Sequence, residues 1–280
     1  MDKLESKKLA IIGGGHIGLA LVEGFINSGK ITGSQLIVAN PSLSKIVHLK
    51  KHGVEITTGN KFAAIEADWI FLAVKPFVID QVLTEIRDLV KGKLIISLAA
   101  IVTIENIRRQ VKNAEIIRIM PNMAISCNQG VIGLFTDKKD KKQIKQLLSL
   151  LGLVVEVQKE EGLDTLTLLS GCGPAIVSQF IETLANYGIS NGLSIDKSHA
   201  LALQTFKGTV SLLEKLDLSS DELIRSVATK GGITEAILNK LKQRDFQSFF
   251  TRAMDDGYGK IKELGQKLNK EQEAIDNGND

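Results

Sequence analysis

Three glycines near the start of the chain carry its first recognisable chemistry. Gly13-Gly14-Gly15-His16-Ile17-Gly18 fits G-x-G-x-x-G and directly follows the apolar run Leu9 to Ile12. Between a strand and a helix, such a loop binds the pyrophosphate of a dinucleotide. Gly13 permits the tight turn, Gly15 lets the backbone approach the phosphates, and Gly18 lets helix and strand pack closely. The helix N-terminus adds free N–H groups and a partial positive charge. His16 lies within the loop, where its ring can cover the pyrophosphate; no other histidine is placed to join it in catalysis or metal binding.

The end of the second strand selects the dinucleotide. An Asp or Glu there would bind the 2′-hydroxyl of NAD. Asn40 stands at that place, 22 residues after Gly18, followed by Ser42 and Lys45. No acid repels a 2′-phosphate and all three can donate to one, so NADPH is favoured, with NADH also possible. Asn40-Pro41-Ser42 equally reads as an ordinary turn.

Three more strand ends converge on the same crevice, because ligands of an open α/β sheet sit at the carboxyl ends of its strands. These are Ala73-Val74-Lys75-Pro76, Leu98-Ala99-Ala100, whose small residues leave room for a nicotinamide, and Arg118-Ile119-Met120-Pro121-Asn122. Two glycine motifs lie further on. Ser170-Gly171-Cys172-Gly173-Pro174-Ala175 leads into a helix with a proline near its first turn. Thr229-Lys230-Gly231-Gly232-Ile233-Thr234 is another helix entrance, whose N–H groups suit a carboxylate. The first can also be a plain helix-start turn, and the second a flexible interhelical loop.

The elements that must position these residues follow from the apolar pattern. Short Ile- and Val-rich runs at Leu9 to Ile12, Leu36 to Ala39, Trp69 to Val74, Leu94 to Ile96, Ile116 to Ile119 and Leu153 to Val157 alternate with helical patterns. That alternation predicts a parallel sheet covered on both faces. Ile17, Leu21, Val22, Phe25 and Ile26 line one face of the first helix, which Gly29 stops. Beyond about residue 162 only helical patterns remain: Ala175 to Tyr187 before Gly188, then a helix capped by Ser194 that buries Leu203, Phe206, Val210 and Leu213. A capping box at Ser219 and Glu222 opens the next helix, and others run from about Thr234 and from Asp245 to Leu264.

The fold class is therefore α/β: a Rossmann-type doubly wound sheet over residues 1–160, an all-helical dimerisation and substrate domain over 161–270, and a polar tail over 271–280. The helices are apolar enough to want a second chain, which predicts a homodimer or higher homo-oligomer. In 280 residues, 44% hydrophobic and 24% charged, 35 basic residues stand against 32 acidic ones. That balance, with no dense basic run, gives no electrostatic footprint for nucleic acid. No stretch reads as a span of the ~20 apolar residues a bilayer needs. Cys127 and Cys172 lie too far apart for a disulfide framework or metal cluster, which suits a reducing cytoplasm.

Taken in order, five motifs make the chain resemble the pyrroline-5-carboxylate reductases from about residue 8 to 265: the glycine loop, Ala-Val-Lys-Pro, Arg-x-Met-Pro-Asn, Ser-Gly-x-Gly-Pro-Ala and Gly-Gly-x-Thr. The resemblance implies NAD(P)H-dependent reduction of the cyclic imine 1-pyrroline-5-carboxylate to L-proline. It implies a cofactor site of Gly13, Gly14, Gly15, His16, Ile17, Gly18, Asn40, Ser42 and Asn60. Ala73, Val74, Lys75 and Pro76, with Leu98, Ala99 and Ala100, would flank the nicotinamide half. The substrate carboxylate would lie on the loop from Ser226 to Thr234, contributed by a partner subunit. Thr229, Gly231, Gly232 and Ile233 belong to that loop, with the Gly231 and Gly232 N–H groups as its donors. Thr234 would hydrogen-bond near the imine nitrogen, and Thr167 would line the same pocket. Members of this family form interlocked helical dimers, often assembled into rings.

Several positions depart from the family pattern. Ile101 replaces a glycine, Met123-Ala124 replaces Thr-Pro, Cys172 replaces a serine, and Ala228 and Lys230 alter the residues before Gly231. Two other readings compete. A β-hydroxyacid dehydrogenase would need a helical-domain lysine, for which Lys207 is the candidate. A non-catalytic dinucleotide-binding paralogue would bind the cofactor without oxidising it.

Overall fold

A computed structural model of the chain describes residues 6–138 and 140–277. Its strands are β1 (Leu9–Ile12), β2 (Leu36–Ala39), β3 (Glu55–Thr57), β4 (Trp69–Leu72), β5 (Leu94–Ser97), β6 (Glu115–Pro121), β7 (Gly130–Phe135) and β8 (Gly152–Glu156). They form one sheet in the order β3-β2-β1-β4-β5-β6-β7-β8. Every residue of β1, β2, β4 and β5 is buried, which is why each reads as an unbroken apolar run: both faces are covered.

The sheet is mixed, a correction to the all-parallel expectation. Neighbours from β3 through β6 pair in parallel, but β7 runs antiparallel to β6, and β8 then lies parallel to β7. The apolar pattern also hid β3 and β7. β3 is a short edge strand starting at exposed Glu55. β7 contains Gly130 and Gly133, where a Cβ would run into Ile125 and Leu166.

Helices α1 (His16–Asn27), α2 (Asn60–Glu66), α3 (Ile79–Ile86), α4 (Ile104–Gln110), α5 (Lys142–Leu148) and α6 (Gly162–Leu166) surround the sheet. Leu21, Val22 and Phe25 of α1 fill the core of one face, where the Phe25 ring meets Phe71 of β4 edge-on at 5.7 Å. The other face buries Ala63, Val82, Leu83 and Ile107 from α2, α3 and α4.

A π-helical turn (Thr167–Gly171) leads to α7 (Gly173–Ser190), α8 (Ile195–Leu216), α9 (Ser220–Val227), α10 (Ile233–Gln243) and α11 (Phe246–Asn277). Packing divides the chain into two compact units, one up to Pro174 together with Tyr258 onward, the other Ala175–Gly257. The sequence boundary at 160/161 marks where strands stop. The packing boundary falls later, because α6 and the π turn lie with β6 and β7. The second half of α11 returns to the sheet unit, where Leu268 enters the core and Lys262 donates to Asp164 at 2.9 Å. That carboxylate, accepting the bond, holds the Lys262 ammonium above its usual pKa. α11 continues to Asn277, so residues 271–277 of the expected tail are helical, and 278–280 lie outside the described residues.

Two further expectations are corrected in the helical unit. Gly188 does not end α7; it lies within it, where a Cβ would meet the Ser198 hydroxyl at 2.8 Å. Leu203 and Val210 of α8, expected to be buried, are 59% and 53% exposed. Among the described residues of Ala175–Gly257, only Ala185, Ser198 and Ala202 are buried. The run Gly162–Ser190 is, by length and composition, long and apolar enough to cross a membrane. That differs from the sequence expectation, although the π turn interrupts the run and Gln179, Glu182 and Asn186 interleave it with polar groups.

Candidate functional site

The glycine loop is built by three strand ends pressed together. Gly13, at φ 115°, donates to the Ala39 carbonyl at 2.9 Å, while Ala73 donates back to Ile12 at 2.8 Å. A Cβ on Gly13 would lie 2.6 Å from the Ala73 oxygen, and one on Gly18 would lie 2.0 Å from the Gly13 oxygen. A Cβ on Gly15 would meet nothing within 4 Å. Gly13 and Gly18 are thus required by the chain itself, whereas the space above Gly15 is open. Gly15 is also the N-cap of α1 and offers no side-chain cap, so the first N–H groups of the helix lack an intrahelical or capping acceptor. An exposed cradle at an uncapped helix N-terminus fits a pyrophosphate. His16 is exposed at its rim, and Ile17 packs partly into the core beneath.

Asn40 serves the loop internally. Its side-chain oxygen accepts from the Gly14 N–H at 3.1 Å and its amide donates to the Ser42 carbonyl at 2.8 Å. The groups facing outward at this strand end are the Ser42 and Ser44 hydroxyls, 2.9 Å apart, and exposed Lys45. The sequence singles out Ser42 and Lys45 but not Ser44, whose pairing with Ser42 is visible only in the fold. Asn60 opens α2 and donates to Glu85 at 2.8 Å.

Ala73 is buried at the end of β4, Lys75 is exposed, and Pro76 starts a short 3₁₀ turn. Val74 would touch a Cβ on Gly13. At the end of β5, Leu98 and Ala99 are buried and Ala100 is half-buried. The next residue, Ile101, adopts φ 63°, a left-handed conformation unusual for a β-branched side chain. Thr103 then caps α4, accepting from the Asn106 N–H. At the end of β6, Met120 lies 3.9 Å from where a Cβ on Gly171 would sit, which joins this strand end to the π turn. Thr167 begins that turn and donates to the Leu163 carbonyl at 2.8 Å. Asn122 is structural: it accepts from the Val131 N–H and ties β6 to β7. Met123 is exposed.

The loop from Ser226 to Thr234 lies in the other unit. Both its glycines have physical causes. Gly231 has φ 72°, and a Cβ on Gly232 would lie 2.6 Å from the Thr229 hydroxyl. Their N–H groups, expected to face a carboxylate ligand, are already engaged: Gly231 donates to the Glu235 carboxylate at 2.7 Å and Gly232 to the Thr229 carbonyl at 2.9 Å. This corrects the donor assignment. With Gly232 as N-cap of α10, the donors left without a helical carbonyl are the N–H groups of Ile233, Thr234 and Glu235. Ile233 is 83% exposed, Thr234 is half-buried, and Ser226 turns its hydroxyl to the Leu223 carbonyl at 2.7 Å. Lys207 lies exposed on α8. Among the described residues no group of three His, Cys, Asp or Glu is gathered as a metal site requires.

Two family models match the chain: pyrroline-5-carboxylate reductase dimerisation over residues 160–264 and NADP oxidoreductase, coenzyme F420-dependent, over residues 8–101. Pyrroline-5-carboxylate reductase 3 of Danio rerio is 32% identical over 269 residues, covering 94% of this chain and 93% of its own. Pyrroline-5-carboxylate reductase of Synechocystis is 32% identical over 267 residues, covering 94% of this chain and 100% of its own. Among solved structures, the Plasmodium falciparum pyrroline carboxylate reductase with NADP bound superposes with a TM-score of 0.85 at 32% identity, covering 93% of this chain and 99% of the other.

Proposed function

We propose, since this chain belongs to the pyrroline-5-carboxylate reductase family, that it reduces the cyclic imine 1-pyrroline-5-carboxylate to L-proline with NADPH. The observation that carries the reading is the open space over Gly15 between two closed glycines, at an uncapped helix N-terminus. It is matched in the same chain by the α10 entrance, whose Ile233 and Thr234 N–H groups suit a small carboxylate.

Bound NADPH supplies the hydride, and the chain's task is to orient it against the imine carbon. The α1 N-terminus holds the pyrophosphate. Ser42, Ser44 and Lys45 receive the 2′-phosphate, while Asn40 fixes the strand end that presents them. The Ala73–Pro76 and Leu98–Ala100 turns flank the nicotinamide, with Asn60 beside the glycine loop. Ile233 and Thr234 donate their N–H groups to the substrate carboxylate, helped by the Thr229 hydroxyl. The Thr234 hydroxyl bonds near the imine nitrogen, and Thr167 lines the pocket. A protonated imine is already electrophilic, so proximity and orientation provide most of the effect and no general acid is required.

The helical unit makes the active species a homodimer or larger homo-oligomer, in which the α9–α10 loop of one subunit completes the site of the other. The two free cysteines suit a cytoplasmic setting, and the partners are small molecules, not nucleic acid or membrane. The deciding experiment follows NADPH and NADH oxidation with 1-pyrroline-5-carboxylate, with 3-hydroxy acids tested in the presence of the oxidised cofactors. Proline formation, faster with NADPH, is expected. Cofactor binding without oxidation would overturn the reaction in favour of a non-catalytic binder, and activity on hydroxy acids alone would return attention to Lys207.

A further inference from the structure

Arg118 is a charge in the middle of a sheet. It sits on β6 with its side chain 4% exposed, and its Nε is buried with no hydrogen-bond partner. Its Nη1 donates to Glu160 Oε1 at 2.7 Å, and its Nη2 reaches the Ala99 carbonyl at 3.4 Å. The same Glu160 oxygen accepts the Ile104 N–H at 2.7 Å. The pair therefore grips the chain just before and just after Ile101, whose φ is 63°. None of the roles assigned above uses Arg118 or Glu160.

Stability alone is a poor reason for such a pair. An ion pair taken out of water seldom repays its desolvation, and apolar replacements of similar volume often serve as well. What an apolar pair could not do is hold a carbonyl at one end of a turn and an N–H at the other. Between those two points lies a β-branched residue in a conformation that glycine adopts readily and isoleucine does not. Strained residues persist only where their surroundings over-determine them, and here the determinants are visible.

We propose that the buried Arg118–Glu160 pair is a positioning device for the turn after β5: by fixing Ala99 and Ile104 it holds Ile101 left-handed and keeps Leu98–Ala100 shaped as the wall for the nicotinamide ring. Arg118 and Glu160 are positioning residues and touch neither cofactor nor substrate. The inference rests on the reading of that turn as the nicotinamide wall.

The test compares two ligands that differ only at the end the wall serves, NADPH and 2′-phosphoadenosine diphosphoribose, which lacks the nicotinamide. Dissociation constants are measured on the full chain. Glu160→Ala is expected to weaken NADPH about tenfold while leaving the truncated ligand within ~twofold. Glu160→Gln, which keeps an acceptor oxygen in place, stays near the unmutated chain. Ile101→Gly added to Glu160→Ala recovers most of the loss, because glycine holds the turn without the brace. If Glu160→Ala does not fold, Glu160→Asp, too short to reach both partners, is read the same way. Equal losses for both ligands, or unchanged NADPH binding, would overturn the proposal and leave the assigned reaction standing. Neither titration needs turnover, so a chain that binds NADPH without reducing the imine defeats the reaction alone. An unmutated chain that binds no NADPH overturns both.

Discussion

At position 101 an isoleucine occupies backbone space where a Cβ crowds the following carbonyl oxygen. This inverts an ordinary ranking. Alanine usually stabilises relative to glycine by about 0.5–1 kcal/mol, but left-handed φ costs a residue with a Cβ about 1–2 kcal/mol. Ile101→Gly should therefore unfold at higher urea concentration than Ile101→Ala; the reverse order would mean that the turn carries no strain. At Thr234 the expectation is kinetic. Thr234→Ala should lower kcat by roughly a hundredfold while NADPH affinity stays near normal, and unchanged turnover would remove that hydroxyl from the reaction. Residues of this kind differed in how far the sequence revealed them. Gly13 and Gly18 were readable because φ or close approach binds residue type to place. The duties of Asn40 and Glu160 were not, because their hydrogen-bond partners Gly14 and Arg118 are neighbours only after folding.

For strands and helices, legibility followed burial. The runs of β1, β2, β4 and β5 could be read because both faces are covered. β3 could not, since an edge strand with an exposed start has no unbroken apolar run, and nothing in a period-two or apolar pattern announces that β7 reverses direction. Gly188 misled because glycine in a helix serves packing as well as termination, and only α8 pressing on it distinguishes the two. The β1–loop–α1 unit allows a sharp comparison. Gly18→Ala places a Cβ against the Gly13 carbonyl and should lower the unfolding temperature as well as dinucleotide affinity. Gly15→Ala meets no protein atom, so it should unfold normally and yet raise the NADPH dissociation constant by about tenfold or more. Calorimetry and titration of the two variants check this. Equal destabilisation of both would show that the space above Gly15 is not reserved for a ligand.

As a whole molecule, the chain has one complete core and one incomplete. The sheet unit buries large side chains on both faces, whereas Ala175–Gly257 buries two alanines and a serine and leaves Leu201, Leu203, Val210, Ile237 and Phe249 exposed. Large apolar side chains exposed together in one patch mark an interface, and an obligate interface typically exceeds about 2,000 Å². The sequence placed Leu203 and Val210 on the buried side of α8 and showed helices apolar enough to want a second chain. Periodicity reports which face is buried, not which molecule buries it. Leu203→Glu should dissociate the assembly in sedimentation and abolish imine reduction while NADPH still binds. A stable, fully active monomer of the unmutated chain would end the dimer reading.

The course of α11 bears on the order in which the molecule can be made. It starts in the helical unit, and its second half belongs to the sheet unit, with Leu268 seated in the core of one face of the sheet. A ribosome delivers the sheet's strands early, and domains generally fold in the order in which they emerge. Here the unit whose strands emerge first is finished by Leu268 of α11, so that part of its core stays open until α11 has emerged. A fragment ending at residue 160 would leave the seat of Leu268 exposed to solvent.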